Sequence, residues 1–134
     1  MIYRTFGKTG WDVSVVGLGT WNLGNQWGEM SDAAARDVIL AAIDSGMNLL
    51  DTAESYGIPN GTSELRIGAT LTAAMRDKLF IVSKVGNWGK RTNAALPKTG
   101  ADVIRACGHV CAGRLRTDSI DVMLCHEGNI EDPT

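Results

Sequence analysis

Gly46-Met47-Asn48-Leu49-Leu50-Asp51-Thr52-Ala53-Glu54-Ser55-Tyr56-Gly57 is the stretch on which the reading of this 134-residue chain turns. An apolar strand runs into a carboxylate at Asp51, and Tyr56 stands one short loop further on. Just before it, Ala35, Val38, Ile39, Ala42 and Ile43 recur at helical spacing behind the N-cap hydroxyl of Ser31. Gly46 sits where such a helix wants a left-handed residue to end it. Helix, glycine, apolar strand and polar strand end form a unit, and the unit recurs.

Upstream, Tyr3-Arg4-Thr5-Phe6, the turn Gly7-Lys8-Thr9-Gly10 and Val13-Ser14-Val15 predict a β-hairpin. Val15 to Thr20 predicts a buried strand, and Trp21 to Met30 a loop rich in Gly, Asn and Trp. Downstream, Ser63 is expected to cap a helix carrying Leu65, Gly68, Ala69 and Leu71, followed by a strand from Leu79 to Lys84. A loop through Asn87, Trp88 and Pro97 leads to a third helix with Val103, Cys107, Val110, Cys111 and Leu115 on one stripe. Gly108 and Gly113 lie inside that helix, where each disfavours it by about 1 kcal/mol relative to alanine. The strand Ile120 to His126 closes the series.

The order is therefore β-α-β-α-β-α-β behind a hairpin. Its strands are apolar throughout rather than alternating, which predicts an α/β fold with a parallel sheet covered by helices. Four such strands do not close a (β/α)8 barrel, which takes about 250 residues. Residues 1–134 are expected to form a single unit, the first half of such a barrel. Gly128 to Thr134 would be the loop after its fourth strand.

Composition narrows the function classes. Hydrophobic residues make up 44% of the chain, enough for a core, and the net charge of −2 gives no footprint for nucleic acid or a membrane surface. No apolar run reads as a signal peptide or a membrane span, so a soluble cytoplasmic protein is expected. Cys107, Cys111 and Cys125 all fall in apolar segments and are expected to be buried reduced thiols. No CxxC pair is present and His109 leaves the helical face shared by Cys107 and Cys111, so no metal site is expected.

Functional groups of parallel α/β folds gather at the carboxyl ends of the strands. Asp51, Lys84 and His126 are three such strand ends, with Tyr56 within a loop's reach. A lysine ammonium beside a phenol eases proton donation, a carboxylate keeps that lysine charged and placed, and an imidazole can orient a carbonyl oxygen. The hydride for a carbonyl carbon would have to come from a cofactor. Each residue also has a plainer reading as a solvated strand end or a loop cap, and spacing alone leaves both readings open.

Gly17-Leu18-Gly19-Thr20-Trp21, the Gly46 to Gly57 run, Ser83-Lys84 and Arg114-Leu115-Arg116-Thr117-Asp118-Ser119-Ile120-Asp121-Val122 through His126 resemble the aldo-keto reductases along essentially the whole chain. The resemblance implies a (β/α)8 barrel with the hairpin plugging its floor. It implies NADPH bound without a Rossmann fold, and indeed Gly17-Leu18-Gly19-Thr20-Trp21-Asn22 breaks the GxGxxG pattern at its last position. It also implies reduction of an aldehyde or ketone, a small-molecule carbonyl substrate. By that resemblance Tyr56 is the proton donor, Lys84 and Asp51 tune it, and His126 orients the substrate. Thr20, Trp21 and Asp51 fall near the nicotinamide, while Trp21, Trp88 and His126 line the substrate pocket.

The family's remaining cofactor contacts lie mostly in a second half. The implied partner is therefore that C-terminal half, or a second copy joined through an open sheet edge, and the 134 residues alone are expected to be inactive. The alternatives are a cofactor-sensing regulatory relative and a half-barrel that works only with a second chain. Ser119 replaces a frequent aromatic residue and Gly128 a frequent proline; neither removes a group of the catalytic set.

Overall fold

A computed structural model describes residues 1–86 and 100–126. The hairpin forms as expected: β1 (Tyr3–Thr5) and β2 (Asp12–Ser14) pair antiparallel with Tyr3 opposite Ser14. β3 (Leu18–Gly19), β4 (Leu49–Asp51), β5 (Phe80–Val85) and β6 (Val122–Cys125) follow as a parallel sheet in sequence order. α1 (Asp32–Asp44), α2 (Thr62–Thr70), a single turn α3 (Ala73–Arg76) and α4 (Ala101–Leu115) connect them. This is the α/β, parallel-stranded fold that the sequence predicts.

Alternation along the strands decides which groups face the helices and which face the other way. Leu50 and Ile81 are wholly buried against Ile39 of α1, Ile67 of α2 and Leu115 of α4. Burial of each such side chain contributes about 1.5–3 kcal/mol. The neighbours of Leu50 and Ile81 in each strand, Asp51 and Val82, stand opposite one another on the other face. Two residues past Val82, Lys84 lies on that face too. One layer of helices thus packs one face of the sheet, and the polar strand ends belong to the other.

The hairpin sits at the opposite end of the strands from those groups. Asn48, just before β4, accepts from the Ser14 amide at 2.7 Å and donates to the Asp12 carbonyl at 2.9 Å. Trp11 stacks on Phe80, the first residue of β5, with ring centroids 5.0 Å apart. The floor is closed there and the other rim is left for chemistry.

Several local expectations are corrected. Val15 and Val16 are about half exposed and only Leu18–Gly19 forms strand, because among the described residues β3 has β4 as its single neighbour in the sheet. Ser63 does not cap α2; Gly61 occupies that position in the left-handed region, and Ser63 is buried inside the first turn. The buried side of α2 is Ser63, Glu64, Ile67 and Gly68, while Leu65 faces outward. The sequence pattern does not predict α3, yet Thr72 caps it by accepting from the Met75 amide at 3.3 Å. Cys107 and Cys111 are buried as expected, but Cys125 is exposed because among the described residues β6, like β3, is an edge strand.

Ser119 ties the approach to β6 onto α3. Its carbonyl accepts from Arg76 at 2.9 Å, and the same guanidinium pairs with Asp121 at 2.7 Å. The loop expected through Asn87, Trp88 and Pro97 and the tail from Gly128 lie outside the described residues. Among the described residues no helix is long and apolar enough to cross a membrane.

Two kinds of glycine separate in the helices. A methyl on Gly68 would strike the backbone at Arg114 and Leu115, so this glycine lets α2 approach α4. A methyl on Gly108 or Gly113 would meet nothing within 4 Å. Gly108→Ala and Gly113→Ala should each raise unfolding free energy in urea by about 1 kcal/mol. Gly68→Ala should lower it, and equal effects at the three positions would show the interhelical contact to be absent.

Candidate active site

Lys84 is the centre of the rim. Its Nζ donates to Asp51 Oδ1 at 2.7 Å, to the Thr52 carbonyl at 2.9 Å and to the Tyr56 hydroxyl at 3.1 Å. The same ammonium lies 4.7 Å from the centroid of the Tyr56 ring. Only 13% of the Lys84 side chain is exposed, against 41% for Asp51, so the cation is enclosed while its carboxylate partner still faces solvent. A charge withdrawn from water needs a counter-charge and further hydrogen bonds, and all three acceptors come from the β4 end and the loop after it.

Register explains how the groups meet. β4 and β5 are in parallel register with Asp51 opposite Val82, which sets Lys84 one pleat higher, level with the loop. The loop is stitched to β5 by Thr52 N–H to the Val82 carbonyl at 2.8 Å and Glu54 N–H to the Lys84 carbonyl at 3.0 Å. His126 follows β6, with its amide donating to the Val85 carbonyl at 2.8 Å. Its ring meets the Tyr56 ring edge to face, centroids 5.6 Å apart, and its Nδ1 lies 3.2 Å from the Ser55 hydroxyl. Asp51, Tyr56, Lys84 and His126, named from the sequence, therefore share one rim.

Aromatic rings form a wall beside them. Trp21 stacks nearly parallel to Tyr56 at 5.8 Å, and Trp27 tilts against Trp21 at 5.2 Å. Thr20 is placed differently. It is fully buried beneath Asp51, donating its hydroxyl to the Asp51 carbonyl at 2.8 Å and accepting from Ser63 at 2.8 Å. Trp88 lies outside the described residues.

Sequence reasoning misses the groups that hold this arrangement. Arg66 of α2 clamps the loop before α1, donating to the Leu23 carbonyl, to Asn25 Oδ1 at 2.9 Å and to the Met30 carbonyl at 2.6 Å. It also pairs with Asp32 at 2.8 Å. Glu54 Oε1 accepts from the Gly86 amide at 2.8 Å. Glu64, wholly buried, accepts from Ser83 at 2.7 Å and pairs with Arg114 of α4 at 3.2 Å. The one available signal is the presence of acids and arginines inside apolar stretches, where a charge has to find a partner.

A parallel α/β unit carrying its polar groups at the carboxyl rim of the strands, above a plugged floor, belongs to the (β/α)8-barrel class. The chain is a member of the aldo/keto reductase family, whose model matches residues 15–133. It is 38% identical over 117 residues to the methylglyoxal reductase YeaE of Escherichia coli, covering 86% of this chain and 36% of that protein. It is 31% identical over 128 residues to the aldo-keto reductase YhdN of Bacillus subtilis, covering 94% and 38%. The holo structure of the aldo-keto reductase AKR11C1 from Bacillus halodurans superposes with a TM-score of 0.78 at 27% identity, over 99% of this chain and 42% of that one. The chain thus spans about two-fifths of the length of the curated relatives it matches.

The thiols behind the site report on its support. Burial, and then the Glu54 carboxylate, pushes the Cys107 thiol from the ordinary 9.0 up to about 11. Burial, and then Glu64, pushes Cys111 up further still. Raised thiols mean that the folded state keeps protons that the unfolded chain releases. Their contribution is fully present below pH 9.0, and stability falls as pH rises from there through about 11. Thiol titration with Ellman's reagent near pH 8 should accordingly label Cys125 first, with Cys107 and Cys111 following only on unfolding. Equal rates at all three would contradict the buried placement.

Proposed function

We propose that this sequence serves the NADPH-dependent reduction of an aldehyde or ketone to the alcohol. The observation that carries the reading is the Lys84 ammonium held between Asp51 and the Tyr56 hydroxyl. Tyr56 gives its proton to the carbonyl oxygen. The ammonium 3.1 Å away stabilises the negative charge left on the phenolic oxygen. Asp51 balances the charge of Lys84 and fixes its direction, and three acceptors around one ammonium leave it little freedom to turn elsewhere. His126 donates a hydrogen bond to the same carbonyl oxygen and sets its angle of approach.

NADPH, when bound, supplies the hydride for the carbonyl carbon. The exposed part of Asp51 offers a carboxylate that can accept from hydroxyl groups, and the half-exposed Trp21 ring offers an apolar face, a combination that fits the nicotinamide end of the cofactor. Thr20 contributes from below by holding the Asp51 backbone. Trp21, with Trp88 by the family resemblance, gives the substrate an apolar wall, and the exposed Trp27 extends it. Methylglyoxal reduction is the activity for which one relative is named. For this chain the proposed substrate is the wider class of small aldehydes and ketones.

The test is turnover of NADPH with a panel of such carbonyls by the chain mixed with a separately made second half of a relative. Tyr56→Phe should lower kcat by about 10²–10⁴ while leaving cofactor-induced quenching of tryptophan fluorescence in place. Full activity in the phenylalanine variant would remove Tyr56 from the chemistry.

Further strands to complete the sheet are part of the same proposal. Met123 and Leu124 on β6 and Val15 and Val16 before β3 are exposed apolar side chains along the sheet's two edges. A polypeptide limited to these 134 residues is expected to self-associate through them. Sedimentation velocity should show species larger than the 14.3 kDa monomer, and a monodisperse monomer at high concentration would speak against it.

A further inference from the structure

Trp27 is 71% exposed, yet the loop that carries it is not slack. Arg66, with only 10% of its side chain exposed, donates to the Leu23 and Met30 carbonyls and to Asn25 Oδ1. Asn25 Oδ1 also accepts from the Met30 amide at 3.0 Å, and Asn25 itself holds a left-handed φ of 66°. Gln26, the residue before Trp27, accepts from the Gly57 amide at 3.1 Å. The backbone on both sides of Trp27 is therefore fixed to α2 and to the loop of Tyr56, and that frame holds the indole open to solvent.

An indole fixed in place and left open to water is an apolar surface whose ordering cost is met in folding rather than in binding. Its neighbours say what it would bind. Trp27 meets Trp21 with ring centroids 5.2 Å apart, and Trp21 stacks on the Tyr56 ring at 5.8 Å. The exposed aromatic surface is thus continuous with the proton donor. A molecule whose carbonyl oxygen lies at the Tyr56 hydroxyl can lay its substituent along Trp21 and on to Trp27. The two indoles are inclined at 58°, so a flat ring lying along one meets the other at an angle. Offset stacking and edge-to-face contact are both favourable between aromatic rings, whereas a saturated substituent gains burial but neither ring contact. We propose, resting on the carbonyl-reducing reading above, that Trp27 is a specificity-determining residue. It forms an outer subsite that selects carbonyl substrates carrying a flat aryl substituent.

Two methyl ketones on one carbon skeleton, 2-acetylnaphthalene and 2-acetyldecalin, separate flatness from hydrophobicity. Binding of each to the 134-residue chain would be measured by saturation-transfer difference NMR, which tolerates self-associated species and needs no turnover. The aryl ketone should bind more tightly. Trp27→Ala should weaken it by about two- to tenfold, the worth of one aromatic pair, and weaken the saturated ketone less. Trp27→Phe should keep the aryl preference. Because Trp27 is mostly exposed, its replacement leaves the fold intact. Equal binding of the two ketones by the wild type, no binding of the aryl ketone, or an aryl affinity indifferent to Trp27→Ala would each overturn the proposal. Activity retained in Tyr56→Phe would instead sink the reductive chemistry and leave the aryl subsite standing.

Discussion

The buried pair of Glu64 and Arg114 is the constraint on which the rest of the unit leans. Glu64 has no contact with solvent, and a carboxylate in that position is tolerable only when it is paired and hydrogen-bonded. Arg114 reaches it from α4 at 3.2 Å and Ser83 from β5 at 2.7 Å, so one side chain of α2 binds two other elements. The same guanidinium reaches the Glu54 carbonyl at 3.4 Å, at the middle of the loop that ends in Tyr56. Removing either partner would strand a charge in the interior, a change that typically destabilises by about 3–5 kcal/mol. Helix packing, strand position and loop position are therefore settled by one ionic contact. The close approach of α2 to α4 at Gly68 makes it geometrically possible.

Above that support stands a set of groups whose properties come from their neighbours. Lys84 is confined by Asp51, Thr52 and Tyr56, and Thr20 and Ser63 form a hydroxyl relay beneath Asp51. Arg66 keeps the aromatic wall in place from the other side. Positioning is distributed over three helices, whereas the groups facing the rim come from strand ends and the loops that follow them. This division matches the barrel class, in which the scaffold is rigid and the loops carry chemistry.

Much of this is legible in the sequence. Apolar strands ending in Asp51, Lys84 and His126 are plain because fully buried parallel strands are apolar without alternation and a polar terminus stands out. Ser31 is recognisable as a cap because its contact, to the Ala34 amide at 3.1 Å, is local. Ser63 misleads for the converse reason. Its partners are Thr20 and Thr52, 43 and 11 residues away, and no local pattern announces them. Arg66 and Arg114 are invisible likewise, since their meaning lies in elements 41 and 50 residues distant. The exposure of Val15, Val16 and Cys125 escapes the sequence because hydrophobicity says that a residue prefers burial, and an edge strand has no neighbour to provide it.

Recombination between such proteins has to respect one contact. A methyl at Gly24 would fall 2.6 Å from the Gly57 Cα, and the Ile58 amide donates to the Gly24 carbonyl at 2.8 Å. The Gly57 amide in turn donates to Gln26 at 3.1 Å. The loop bearing Trp21 and Trp27 and the loop bearing Tyr56 are thus interlocked backbone against backbone. They form one module for inheritance: transplanting the first loop from a relative without the second would break the interlock, so variation in pocket shape should travel between relatives as matched pairs of loops.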